Sequence, residues 1–148
     1  MSEDLPLLPE DMPWEAAQAE LEALELGDGL PLVPPTLARY EAMLAGRGSP
    51  AQSFGCLMPL MGELTLEAVA YNCILAGCRP DELPVVLSAA EACTEDAFNL
   101  LGVLSTTGTP TVAVCVHGPA VEALGMNAES NVLGPGNRAI TSILRRSM

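Results

Sequence analysis

Residues 64–78, LTLEAVAYNCILAGC, constrain this chain more than any other stretch. Thr65 can accept a hydrogen bond from the free N–H groups of a first helical turn, and Gly77 can take the left-handed conformation that ends a helix. Between them, apolar residues occupy nearly every face instead of one stripe. Such a helix needs neighbours on several sides, so the spacing predicts a central helix wrapped by the rest of the chain. Asn72 interrupts it. A buried amide must find partners, so Asn72 is expected to brace a loop or line a pocket. The expected core is Val69, Cys73 and Leu75 from this helix, with Val86, Leu87, Val112 and Val114.

The wrapping elements are read outward from that helix. Before it, Pro13 suits a first turn, and Trp14, Ala17, Leu21 and Leu24 recur at helical spacing, with Gly27 or Gly29 as terminator. The prolines of LPLVPPT exclude a central strand. Thr36 then caps LARYEAMLAG, a short helix ending near Gly46. SFGCLMPLMG reads as an edge strand interrupted by Pro59. After the central helix, Asp81 caps a further helix, with Pro84 in its first turn where a missing N–H does no harm. FNLLGVLSTTG and TPTVAVCVHG read as two strands joined at Gly108, the second interior because both its faces are apolar. PAVEALGM is a short helix, and RAITSILRR a closing one. The sum is a mixed α/β (α+β) chain, helix-rich, with a small sheet: a mobile acidic tail over residues 1–12 and a single domain over 13–148.

Composition narrows the function. The chain has 148 residues, enough for one self-sufficient core, and at 49% hydrophobic it is not of the disordered class. Its net charge is −13, with nine acids and no base in residues 1–36 and no lysine anywhere. Nucleic acid and anionic membrane both demand basic footprints, so neither is an expected partner. Only five aromatic residues are present, too few for base-stacking platforms. No apolar run reaches the ~20 residues of a membrane span, and the acidic N-terminus has no signal-peptide pattern. The cysteines are five, at 56, 73, 78, 93 and 115, with no CxxC. An odd set without an export signal reads as reduced thiols of a cytoplasm, each serving mainly as a small buried hydrophobe.

Three places could carry chemistry. In NVLGPGNR, Gly134, Pro135 and Gly136 stand directly before the closing helix. A helix start gathers unpaired N–H groups and partial positive charge; Arg138 adds a fixed cation, and Asn131 and Asn137 add amide donors. The plainer reading is a tight turn with an Asn cap. The spacing fits neither a Walker A loop nor a dinucleotide fingerprint. In STTGTP, the hydroxyls of Ser105, Thr106, Thr107 and Thr109 cluster at one strand end, where they can hold a carboxylate or phosphate or simply build a turn. Cys115 and His117 are the candidate catalytic residues, sharing one face of the last strand. They fall short of a zinc site, which wants three or four ligands, so no metal is assigned. A histidine satisfied at a strand end is the plainer reading. No cofactor is specified.

Four blocks in fixed order, GDGLPLVPPT, AVAYNCILAGCRPDELPVVLSAAEA, FNLLGVLSTTG and GPAVEALGMNAESNVLGPGNRA, resemble a segment of a bacterial family known as UGSC-like, after its Sec/Cys-Gly-Ser-Cys motif. The resemblance spans roughly residues 14–146. In that family the segment follows, or is encoded beside, a domain carrying the reactive Cys or selenocysteine. The motif itself is missing here; FGCLMP at 54–59 is not it, and His117-Gly118-Pro119 stands where Asn-Gly-Pro is expected. The resemblance implies a place in a complex more than an activity; with the 105–109 and 131–138 loops it leads to the reading of a subunit of a small heteromeric enzyme that helps bind a small anionic or amide-bearing metabolite, with a UGSC-type partner supplying the thiol or selenol. The alternatives are a non-catalytic interaction subunit, or a thiol- or metal-handling domain built on Cys115, His117 and another cysteine.

Overall fold

A computed structural model describes residues 5–27, 29–108 and 110–126. The described residues form six α-helices and a two-stranded antiparallel sheet, the helix-rich α+β domain expected from the sequence. In chain order these are α1 (Trp14–Ala23), α2 (Leu37–Leu44), β1 (Ser53–Leu57), β2 (Gly62–Thr65), α3 (Leu66–Ala76), α4 (Leu83–Thr94), α5 (Leu100–Ser105) and α6 (Pro119–Ala123). A single 3-10 turn, Asp96–Phe98, joins α4 to α5.

The central position of α3 follows from its apolar surface. Val69, Ala70, Cys73 and Ile74 face one cluster, with Met43 of α2, Leu64 of β2, Leu83, Val86 and Ala90 of α4, and Leu124. Tyr71 and Leu75 face a second cluster, with Leu8, Ala17, Leu21 and Leu32. Each large aliphatic side chain so buried contributes about 1.5–3 kcal/mol. The caps are those the sequence names: the Thr65 hydroxyl accepts the Ala68 N–H at 3.2 Å, and Gly77 ends the helix at φ +84. Asn72 is the correction. It lies on the one exposed line of α3 and donates to the Ala68 carbonyl at 2.9 Å, so it neither braces a loop nor lines a pocket.

The N-terminal segment also departs from expectation. Residues 5–12 lie against the domain as a strap, where a mobile tail is expected; residues 1–4 lie outside the described residues. Leu8 is buried and its N–H donates to the Pro35 carbonyl at 2.8 Å, beside a parallel bridge to Thr36. The Tyr71 hydroxyl donates to the Pro6 carbonyl at 2.7 Å. The reason is apolar: Leu5, Leu8 and Met12 complete the second cluster, which α1 alone leaves open. Within α1 only Ala17 and Leu21 are buried, while Trp14 is 49% exposed and Leu24 is exposed as well. The helix ends before either glycine, at a turn in which Glu25 takes φ +55.

Two expected caps move. Thr36 precedes α2, but its hydroxyl makes no capping bond; the Glu10 carboxylate of the strap accepts the Ala38 N–H instead, at 2.9 Å. That bond, the Thr36 hydroxyl and the charge of Arg39 hold the Glu10 carboxyl below its ordinary value. Asp81 lies outside α4, which begins at Leu83 with Glu82 at its boundary and Pro84 in its first turn. Glu82 is fully buried because Arg79 reaches it: the carboxylate accepts from the Arg79 backbone N–H at 2.6 Å and from Nε at 2.8 Å. Arg79 Nη2 continues to the Leu124 carbonyl at 3.1 Å, tying the chain beyond α6 to the start of α4.

The sheet is not where the valine-rich stretch predicts it. It is the hairpin of β1 and β2, with Pro59 in the connecting turn and an irregularity between Ser53 and Cys56. Gly55 sits there at φ +132, and a Cβ would fall 2.9 Å from the Thr94 Oγ1, so α4 packs on β1 only because the residue is glycine. The two expected strands after α4 are corrected. The first is the 3-10 turn and α5: Asn99, left-handed at φ +52, accepts the Gly102 N–H on its side chain and starts a helix. The second, residues 110–117, has no regular structure. Val112 is half-buried and Val114 is 37% exposed, so neither belongs to the core; Leu87 is half-buried against it. An alternating apolar run becomes a strand only beside another, and among the described residues none pairs with it.

Candidate functional site

A concave feature of the described residues runs along the outer face of α4. It is an open groove of about 580 Å³, lined by Pro84, Val85, Ser88, Ala89, Ala92 and Cys93 of α4, by Phe98, and by residues 112–117 opposite. The α4 spacing explains it. Leu83, Val86 and Ala90 turn into the core, and the next face round carries small residues that leave a channel. Cys93 reaches both, and burial pushes its thiol pKa up, which makes it a poor nucleophile.

Cys115 and His117 both line this groove and both are exposed. The two therefore share a site, though not as neighbours on a strand face, and His117 is not the satisfied histidine of a strand end. No group of three or more His, Cys, Asp or Glu side chains able to hold a metal occurs among the described residues. None of the five cysteines forms a disulfide; Cys73 and Cys93 are buried as expected, whereas Cys56 and Cys115 are exposed.

The hydroxyl cluster is partly placed. Ser105 closes α5, and Thr106 and Thr107 follow it, all exposed; the Thr106 Oγ1 accepts the Gly108 N–H at 3.2 Å, a local turn bond. Thr109 lies outside the described residues. So do Asn131, Gly134, Gly136, Asn137 and Arg138, together with the closing helix read over 138–146. The described structure thus places Cys115 and His117 in one groove opposite α4 and leaves the pairing of the two loops open.

Sequence reasoning missed one functional-looking arrangement, the Arg79–Glu82 pair. Its signal was present: an arginine three residues before a glutamate, directly ahead of a helix rich in apolar residues, can fold back on it. The groove itself had no sequence signal, because small residues on one face of α4 read equally well as core.

No family model, no curated protein and no solved structure matches the chain.

Proposed function

We propose that this chain is a subunit of a small heteromeric enzyme, cytoplasmic, that helps bind a small anionic or amide-bearing metabolite while a UGSC-type partner supplies the reactive thiol or selenol. The observation that carries the reading is the groove, where Cys115 and His117 stand exposed beside an apolar channel large enough for a metabolite. A thiol, an imidazole and the Ser88 hydroxyl can hold and polarise a small ligand, and a second chain completes the chemistry. The 131–138 loop is the proposed anion seat, with Arg138 as its cation. Five cysteines without a disulfide suit a reducing compartment. No helix of the described residues is long and apolar enough to cross a membrane.

The interaction-subunit reading has its own observation. Leu101 and Leu104 of α5 are 42% and 56% exposed, one turn apart on the same face. Large apolar residues clustered in the open mark a contact surface. The test is co-expression with a UGSC-type subunit, read by light scattering and turnover. A stable complex that turns over, weakened by Leu101→Glu with Leu104→Glu, supports the enzyme reading. A stable complex in which Arg138→Ala leaves turnover and anion affinity unchanged supports the non-catalytic one. The Arg138→Ala loss expected for a charged hydrogen bond is roughly 1.5–3 kcal/mol.

A further inference from the structure

Residues 111–117, which form one wall of the groove from Val112 onward, make no hydrogen bond among the described residues, through backbone or side chain. Their course contains neither turn nor bend. Thr111, Val112, Val114 and Val116 are β-branched, the residue type that suits a pleated chain. Val112 and Val116 are half-buried, Val114 is 37% exposed, and Thr111, Ala113, Cys115 and His117 are exposed. Backbone N–H and C=O groups seek partners wherever water is thinned out, so an unpaired run of this kind is a template for a further strand. Exposed edges are commonly guarded by charged side chains or prolines; this one has only Pro110, at its start.

The same run lies in the longest charge-free stretch of the chain. Residues 97–121 hold no Asp, Glu, Lys or Arg, in a chain whose net charge is −13. A basic partner would be drawn elsewhere, to Glu15, Glu20, Glu22 and Glu25 for example, all exposed. A second copy, equally acidic, is repelled by most of the surface and least by this stretch. Residues 111–117 also match themselves. Antiparallel pairing about a two-fold axis at Val114 sets Val112 opposite Val116, Ala113 opposite Cys115, and Val114 opposite its own mate. Every valine then meets a valine on one face, and the other face pairs small residues.

We propose that two copies of this chain pair antiparallel through residues 111–117, each supplying the neighbouring strand that the other lacks. Pairing satisfies the backbone groups of both runs and completes an interior for the valines over α4. It sets Cys115 of one copy diagonal to Cys115 of the other, roughly 7–8 Å apart. Repulsion between two chains of −13 opposes the contact and is screened by salt, so salt should tighten it. No other protein is needed, so this inference and the heteromeric reading stand or fall separately.

The experiment is sedimentation velocity on the purified chain, with disulfide cross-linking beside it. A contact this small belongs to the weak class, so a dimer is expected at ~100 µM and a monomer at ~1 µM, with several-fold tighter association in about 0.5 M salt. Val114→Lys and Val114→Glu should each be monomeric, because like charges then face each other on the axis, and their mixture should dimerise. With Cys56→Ser and Cys115→Ser in place, Val114→Cys should cross-link two chains under glutathione disulfide, since residues on the axis stand about 4.5–5.5 Å apart. The parent chain, cross-linking through Cys115, should do so at least tenfold more slowly, as its diagonal spacing of roughly 7–8 Å is too wide. A monomer at ~100 µM in both low and high salt overturns the proposal. A dimer that Val114→Lys leaves intact overturns it in favour of another face, and equal cross-linking through positions 114 and 115 overturns it as well.

Discussion

Residues 64–95 and residues 98–117 are both rich in apolar side chains, yet only the first stretch is core. In α3 and α4 the side chains meet partners on several sides: Ile74 and Val86 are buried, and Gly55 lets β1 approach Thr94. In α5 and residues 110–117 the same residue types stand largely in the open, at Leu104 and Val114 among others. Hydrophobicity sets what a residue gains from burial, but the gain is realised only where another surface arrives. The second stretch is where the chain has surface to spare, and it is there that Cys115 and His117 sit.

The contrast can be broken by substitutions in the two stretches. The largest effect is expected from Ile74→Ala, which opens a cavity between α3 and α4; about 3–4 kcal/mol should be lost in urea unfolding. Arg79→Ala comes next. It strands the buried Glu82 carboxylate and frees the Leu124 carbonyl, at a cost of roughly 3 kcal/mol, and Arg79→Lys should restore only part, because one ammonium cannot reach both partners.

Tyr71→Phe should cost about 1 kcal/mol, the worth of its bond to the Pro6 carbonyl. Burial raises the Tyr71 pKa to about 12, above its unfolded value of 10.0. Its contribution is therefore complete below pH 10 and is lost as pH rises towards 12, so alkaline melts of the wild type should fall in that window more steeply than those of Tyr71→Phe.

The strap offers the opposite sign. Glu10 has its pKa lowered by the Ala38 N–H, the Thr36 hydroxyl and Arg39. Its hold on α2 is present above the ordinary value of 4.5 and is lost as pH falls through the lower folded value. Amide exchange at residues 5–12, taken relative to the intrinsic rate at each pH, should rise below pH 4.5 in the wild type and be raised at all pH values in Glu10→Gln. The smallest effect is expected from Leu104→Ala, within half a kcal/mol in the isolated chain. A loss above about 1 kcal/mol would show that α5 is packed and would dissolve the contrast.

Much of the first stretch was legible as sequence. The Thr65 and Gly77 caps and the all-round apolar surface of α3 depend on residues within a turn or two of one another, and short-range chemistry is written locally. The capping of α2 was not legible, because its acceptor, Glu10, comes from a strap far back in the chain. The alternation of TVAVCV was read as an interior strand, and α5 as another; both readings assumed neighbours that the described residues do not provide. Of the candidate site, Cys115 and His117 were paired on the premise of a strand face that residues 110–117 do not form, and their groove had no sequence signal.

By itself, then, the sequence determined where α3 begins and ends, that it must lie at the centre, and that the chain is acidic towards its start and basic towards its end. These are properties of composition and of hydrogen bonds closed within a few residues. Tertiary structure alone decided which apolar residues are buried. It put two clusters on opposite faces of α3, recruited the strap into one of them, paired Arg79 with a carboxylate that would otherwise be costly to bury, and left the outer face of α4 open. Burial is a relation between surfaces distant in the chain, and no single residue carries it.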